Sequence, residues 1–328
     1  MAEWLYEDGI GERRAALVED GSIIAIGIER DSDGVRAGAI LPARRLPADG
    51  GGLTRVLLDN GEEAICPALP RSLAEGAGLM VRIVRCAIPE ADLVKRAKAH
   101  PADEGAEPTD GPDLAARIAA SGHPVRPLRA HEPDALEAAG WSEALAAAAS
   151  GRIAFDGGVL RVALTPAMTV IDVDGRTPAP VLAQGGALAS AAAIACYDIA
   201  GSIVIDLPTL PDKAARVAVA EVFDAALPPP FERTAINGFG LLQIIRPRLR
   251  QSVVERLHFA PVEGASLAAL RRAERAKGSG ALRLRLSTAV AEWLNARPAL
   301  VETLARRTAR VPLLMAEPGR AIGAIDVD

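Results

Sequence analysis

Aromatic side chains are scarce in this chain of 328 residues: five Phe, three Trp and two Tyr make up 3% of it, against 50% hydrophobic residues overall. Its cores are therefore expected to be aliphatic and rich in alanine. The three cysteines, Cys66, Cys86 and Cys196, are scattered, which argues against a disulfide framework and against a CxxC metal site. The four histidines (His100, His123, His131 and His258) are far apart, so neither a His-based mechanism nor a Ser-His-Asp arrangement is expected. No run reaches the roughly 18 uninterrupted apolar residues of a membrane helix, and the Ala-rich stretch from Gly185 to Cys196 is too short and small-sided. Met1 to Glu7 lacks the basic start and apolar stretch of a signal peptide. A reducing cytoplasm, with no membrane partner, is the expectation. Gly50-Gly51-Gly52 and Asp156-Gly157-Gly158 are not followed by Lys-Ser/Thr, so they read as loop or hairpin glycines rather than phosphate loops.

What is present is enough chain for two or three units, each with its own core. The net charge of −5 argues mildly against a nucleic-acid partner. Its distribution argues the other way. Arg246, Arg248, Arg250 and Arg256 cluster together, followed by Arg271, Arg272, Arg275, Lys277, Arg283 and Arg285, while acidic residues concentrate before position 140. A basic surface on an acidic protein is compatible with that pattern.

The first 90 residues are punctuated as a β-rich unit. Alternating runs flank Asp20-Gly21 and again Asn60-Gly61, both hairpin signals. Further short strands are expected at 38–43 and 79–84, and several strands in about 50 residues suggest a small barrel of the OB type. Residues 99–112 are acidic and rich in Pro and Gly and read as a disordered linker. Helical patterns follow at 112–121 and 133–150, then strands at 151–156 and 159–164. The region 266–328 alternates helix, strand, helix (289–309) and strand (311–315), as in a small separate α/β unit.

Two apolar strands that end in carboxylates stand out: Met168-Thr169-Val170-Ile171-Asp172-Val173-Asp174 and Ser202-Ile203-Val204-Ile205-Asp206. β-Branched runs of this kind read as strands buried on both faces, in the middle of an α/β sheet. A helix over 185–197 between them implies a βαβ crossover and a parallel pair. Two or three carboxylates would then converge at the carboxyl edge of the sheet, where open α/β folds place their sites. Hard oxygen ligands suit Mg²⁺ or Mn²⁺. The plain alternative is strand-end carboxylates that accept backbone N–H groups or cap the next helix. Asp174, two residues beyond Asp172, lies on the same side of the strand. It is either a third ligand or orienting group, or a turn residue before Gly175. Asp212 and Lys213, after Pro211, read simply as a helix start.

At these residues a family resemblance emerges. Leu164 to Gly175 resembles the "TEALT-IDVNSG" segment of the ribonuclease E/G family, Gly201 to Asp206 its "GGLIVIDF", and Phe239 to Arg250 its "FGLLEMSRQRL". Order and spacing agree across 140–256, and more weakly toward both ends. The resemblance implies an α/β (α+β multidomain) protein: an RNase-H-like/nuclease α/β core with an inserted OB-type β-barrel and a small C-terminal α/β domain. The implied division is a hairpin of the RNase-H-like subdomain (1–36), the RNA-binding barrel (37–90), a linker (91–112), the rest of the RNase-H-like subdomain (113–160), the metal-dependent nuclease core (161–256) and the C-terminal unit (257–328). The implied activity is Mg²⁺-dependent cleavage of single-stranded RNA to 5′-phosphate and 3′-hydroxyl ends, with Asp172 and Asp206 as metal ligands and Asp174 at the place of a supporting Asn.

The chain also departs from the family pattern. Leu257 to Gly264 stands where the zinc-link motif CPxCxG would lie and contains no cysteine, so no structural zinc is expected, and a monomer or dimer rather than a zinc-linked tetramer. Only Val94-Lys95-Arg96-Ala97-Lys98 remains of a basic segment after the barrel, so sensitivity to an RNA 5′-monophosphate is expected to be slight. Pro166, Thr209 and Gly238 replace the family's Glu, Asp and Arg, which leaves open a second reading, an RNA-binding protein of the same fold without catalysis. Arg246, Arg248 and Arg250 would share one face if they continue a strand, a suitable grip for phosphates; plain surface arginines are the alternative. In the barrel, residues 37–90 hold no Phe, Tyr or Trp. Only Arg44, Arg45, Arg55, Arg71, Arg82 and Arg85 offer contacts there, so its RNA binding would be weak and electrostatic, or the barrel is structural.

Overall fold

A computed structural model describes residues 1–47, 53–69, 73–90 and 93–328. Gly50-Gly51-Gly52 and Arg71 lie outside the described residues. The chain opens with an antiparallel meander of β1 (Glu3–Asp8), β2 (Glu12–Glu19) and β3 (Ser22–Arg30). Asp20 and Gly21, with φ of 49° and 79°, form the left-handed two-residue turn whose twist matches the flanking strands.

A closed barrel follows, built from β4 (Ile40–Arg45), β5 (Arg55–Leu58), β6 (Glu63–Ile65), β7 (Gly78–Arg85) and, after a small hairpin of β8 (Ile88–Pro89) and β9 (Val94–Lys95), β10 (Ala97–Pro101). Around the barrel the order is β10-β6-β5-β4-β7, filled by Val56, Leu58, Ala64, Cys66, Val81 and Ile83. The expectation of a disordered linker over 99–112 is corrected here. β10 pairs with both β6 and β7, with Ala97 and Ala99 inward. Without it β6 and β7 would keep open edges. The return segment is also tied down, because Ile40 and Thr109 exchange backbone hydrogen bonds of 2.8 and 2.9 Å.

Beyond the barrel come α1 (Leu114–Ala119), capped by Asp113, and β11 (Val125–Leu128), which pairs in parallel with β1 and completes the first sheet as β11-β1-β2-β3. The single helical pattern of 133–150 is two helices, α2 (Ala135–Ala138) and α3 (Trp141–Ser150), parted at Gly140, whose φ of 92° breaks the helix.

The central sheet comprises β12 (Arg152–Phe155), β13 (Gly158–Leu164), β14 (Thr169–Gly175), β15 (Gly201–Asp206), β16 (Glu232–Arg233) and β17 (Leu241–Arg246), with α4 (Ala179–Cys196) between β14 and β15 and α5 (Lys213–Ala226) after β15. Its order is β12-β13-β14-β15-β17-β16, and only β14 and β15 run parallel. α4 begins six residues before the expected Gly185, because Pro180 fits the first helical turn. It packs closely: a Cβ at Gly186 would lie 2.3 Å from Val173 Cγ1. By length and composition α4 is the one helix among the described residues apolar enough to cross a membrane, yet 44% of it is buried inside the protein.

Both α4 and α5 lie on one face of this sheet, over Ile171, Val173, Ile203, Ile205, Leu242 and Ile244. The reading of β14 and β15 as strands buried on both faces is therefore corrected. On the opposite face Val170, Asp172, Asp174 and Val204 are half-buried, Asp206 and Gln243 are exposed, and Ile245 is 61% exposed. The antiparallel neighbours β13 and β17 are joined by hairpin-like or same-side connections, so no element is left to cover that face.

The C-terminal unit contains α6 (Val253–Phe259), α7 (Pro261–Glu274), β18 (Leu282–Ser287), α8 (Thr288–Asn295), α9 (Pro298–Thr308), β19 (Pro312–Glu317) and β20 (Asp326–Val327), with a sheet ordered β19-β18-β20. The expected helix 289–309 is interrupted before Pro298, which starts a helix readily but cannot continue one. Buried and half-buried ion pairs fix this unit to the first sheet and the turn after it: Arg275 with Glu7, Arg271 with Glu12, Glu263 with Arg30, and Arg256 with Asp33 just beyond β3.

Candidate functional site

Asp172 and Asp206 are register partners at the end of the parallel pair β14·β15. Adjacent strands lie about 4.8 Å apart, so the two carboxylates stand side by side at the carboxyl edge of the sheet, on its uncovered face. Asp174 shares the strand face of Asp172, and it is engaged: Arg161 Nε on β13 donates to Asp174 Oδ2 at 2.5 Å. Arg161 is also the register partner of Asp172. Burial pushes the Asp172 carboxyl above its ordinary value, the negative charges of Asp174 and Asp206 push the same way, and Arg161 and the Val173 N–H partly oppose them. Crowded carboxylates beside one guanidinium form an electronegative edge that favours a cation or a proton.

Among the described residues, no group of three or more His, Cys, Asp or Glu side chains is gathered closely enough to hold a metal ion. The three aspartates thus provide two adjacent carboxylates and a third that is paired to arginine. Sequence reasoning did not single out Arg161, although its position in the alternation of β13, facing β14, carried the signal.

The loop after β15 meets a turn before β17 at this same edge. Leu207 N donates to Gly240 O at 3.2 Å, and Thr209 Oγ1 to Phe239 O at 3.4 Å. Thr209 and Gly238 therefore both lie beside Asp206. Pro166, in contrast, enters β14 from the other end and lines a cavity of about 370 Å³ with Arg85, Lys95, Ser202 and Arg248.

The three arginines after β17 are not brought together on a strand face. β17 stops at Arg246 because Pro247 has no N–H to donate. Arg246 partners Gly201, which places it the length of β15 away from Asp206, roughly 17 Å at about 3.3 Å per residue. Its guanidinium donates to Ile199 O at 3.1 Å and Ile194 O at 3.4 Å, at the C-terminus of α4, and burial lowers its pKa. Arg248 Nη2 donates to Glu255 Oε1 at 2.5 Å, and Arg250 Nε to Asp198 Oδ2 at 2.9 Å. Arg250 lines a separate cavity of about 670 Å³ between the first sheet, the barrel and α6, where Arg13, Arg36 and Arg117 are each paired with acids. In the barrel, Arg55 pairs with Glu63, Arg82 with Asp103, Arg45 with Leu73 O, and Arg85 with Arg96 O; Arg44 is exposed.

No protein-family model matches this chain, and no curated protein matches it in sequence.

Proposed function

We propose that the protein is a Mg²⁺-dependent endoribonuclease acting on single-stranded RNA in a reducing cytoplasm. The observation that carries this reading is the register pairing of Asp172 with Asp206 on an uncovered sheet edge. Two adjacent carboxylates fit Mg²⁺, which keeps several waters and takes one or two protein carboxylates with phosphate oxygens. Burial raises the Asp172 pKa most and the charges of Asp174 and Asp206 add to it; a divalent cation relieves that crowding. Mn²⁺ suits the same oxygen ligands. A bound Mg²⁺ would lower the pKa of a water molecule and offset charge on the scissile phosphate. Asp172 and Asp206 hold the ion in this reading. Asp174, clamped by Arg161, fixes the field around it. The uncovered face gives an extended strand room to reach the carboxylates. The five-stranded barrel has a strand order compatible with an OB-type module and serves as an electrostatic RNA contact, and the surrounding sheets take the part of the RNase-H-like and nuclease core. No structural zinc is required, and a monomer or dimer suffices.

The test is cleavage of a labelled A/U-rich single-stranded RNA with Mg²⁺, Mn²⁺ or EDTA, comparing wild type with Asp172→Asn and Asp206→Asn. Metal-dependent cleavage to 5′-phosphate ends, abolished by either substitution, is the expected result. A second reading, an RNA-binding protein without catalysis, is favoured by the Arg161–Asp174 pair, which occupies the third carboxylate. It requires no cleavage and equal RNA affinity in Mg²⁺ and EDTA.

A further inference from the structure

Phe239 is 80% exposed, while the other nine aromatic residues of the chain are buried or half-buried. An apolar ring left in water on a floppy loop would need no explanation, but this ring sits on a fixed turn. Asn237 Oδ1 accepts from Phe239 N at 2.9 Å and from Leu241 N at 3.1 Å. Gly240 N donates to Asn237 O at 3.2 Å, and Asn237 N to Leu241 O at 3.1 Å. Gly240 has a φ of +95°, and a Cβ there would lie 2.1 Å from Leu207 O, so only glycine lets the turn press against the loop after β15. A Cβ at Gly238, the residue before the ring, would meet nothing within 4 Å beyond its own chain neighbours.

The turn's position gives the ring a purpose. Leu241, two residues on, is the register partner of Asp206, so at most about 7 Å of extended chain separates Phe239 from the residue facing that carboxylate. We propose that Phe239 is a stacking platform for one nucleobase of single-stranded RNA, one or two nucleotides from the phosphate held at Asp172 and Asp206. The inference rests on the ribonuclease reading above. A lone ring holds a base by its π-face without reading its edge, so it sets the register of the strand on the carboxylates and tolerates any base, with purines stacking best.

The test uses the full chain, with equilibrium binding and cleavage of a short single-stranded RNA and of versions lacking one base at each position around the cleavage site. Phe239→Ala is expected to weaken binding about tenfold, the scale of one base–aromatic stack. Phe239→Trp is expected to restore it, and Phe239→Leu is not. Removing one particular base beside the cleavage site should weaken wild type by the same factor and Phe239→Ala no further. Affinity of Phe239→Ala within about twofold of wild type, or equal rescue by Leu and Trp, overturns the stacking role. If wild type cleaves through Asp172 and Asp206 while Phe239→Ala is indistinguishable from it, the stacking role alone falls. If wild type neither binds nor cleaves RNA, both readings fall together.

Discussion

Arg161 is bound to Asp174 through a 2.5 Å hydrogen bond and at the same time lies opposite Asp172 in the ladder. It is thus a fixed positive charge at the rim of the two carboxylates. A cation binding there meets its repulsion. Arg161→Gln is expected to tighten Mg²⁺ binding by about two- to fivefold, a modest gain because both partners are half exposed and water screens the charge. Calorimetric titration with Mg²⁺ reads this directly. Weaker binding would instead mean that the guanidinium is needed to hold Asp174 in place.

The arginines after β17 should behave as structural residues. Arg246→Ala removes the donor to Ile194 O in the last turn of α4 and to Ile199 O just beyond it and is expected to cost about 1 kcal/mol in urea unfolding. Arg248→Ala and Arg250→Ala should change the slope of log K against log salt for RNA by well under the ~0.7 of one phosphate contact on a single strand. A change near 0.7 for either would restore it as a phosphate ligand.

Gly240→Ala combines a left-handed backbone with a clash against Leu207 O. It should destabilise the protein by roughly 1–3 kcal/mol. RNA cleavage should suffer beyond that loss, because the displaced turn carries Leu241 away from Asp206. Thermal unfolding beside cleavage assays on the folded variant separates the two effects. A Tm equal to that of wild type would contradict the tight turn.

Asp134 couples the interior to pH. Its burial opposes ionisation, but Arg14, 1% exposed at its side chain, with the Glu137 N–H and Arg275, holds its carboxyl below the ordinary value. A depressed carboxylate contributes stability above its unfolded pKa and loses it as pH falls through the lower folded value. Asp134→Asn keeps the cap of α2 but loses the charge facing Arg14. It should cost about 2 kcal/mol at neutral pH. The deficit should begin to shrink as pH falls below about 4, the ordinary value that governs the unfolded chain, and go on shrinking through the lower folded value. Denaturant unfolding of both proteins at pH 3 and pH 7 checks the sign.

The legible parts of the sequence were those written in branched residues. Ile171, Val173, Ile203 and Ile205 announced two strands, and the aspartates closing each run marked the edge where they pair. Val170 and Val204, apolar on the outward face, hid that this face is uncovered: alternation shows which side is packed only when the other side is polar. Ala97 and Ala99 close the barrel with side chains too small to stand out in a segment dominated by Asp, Glu, Gly and Pro. Pro247 did carry the signal that β17 ends, which separates the three arginines. The exposure of Phe239 was not legible, since a Gly-Phe-Gly turn reads the same whether its ring is packed or bare.

The barrel lies between the two halves of one sheet, and this orders the birth of the fold. β1 cannot complete its outer ladder until Val125 to Leu128 exist to pair with Trp4 to Glu7, and α1, which covers Trp4, also comes after the barrel. A chain emerging from the ribosome therefore presents a whole barrel, already able to close, while its first strand, paired to β2 on one side, still waits for its outer neighbour. The late pairing spans the insertion, the kind of distant contact that slows folding. Because Ile40 and Thr109 meet at the barrel's mouth, a folded insertion holds its two ends side by side and shortens the loop that the late pairing of β11 with β1 must close, like a drawstring.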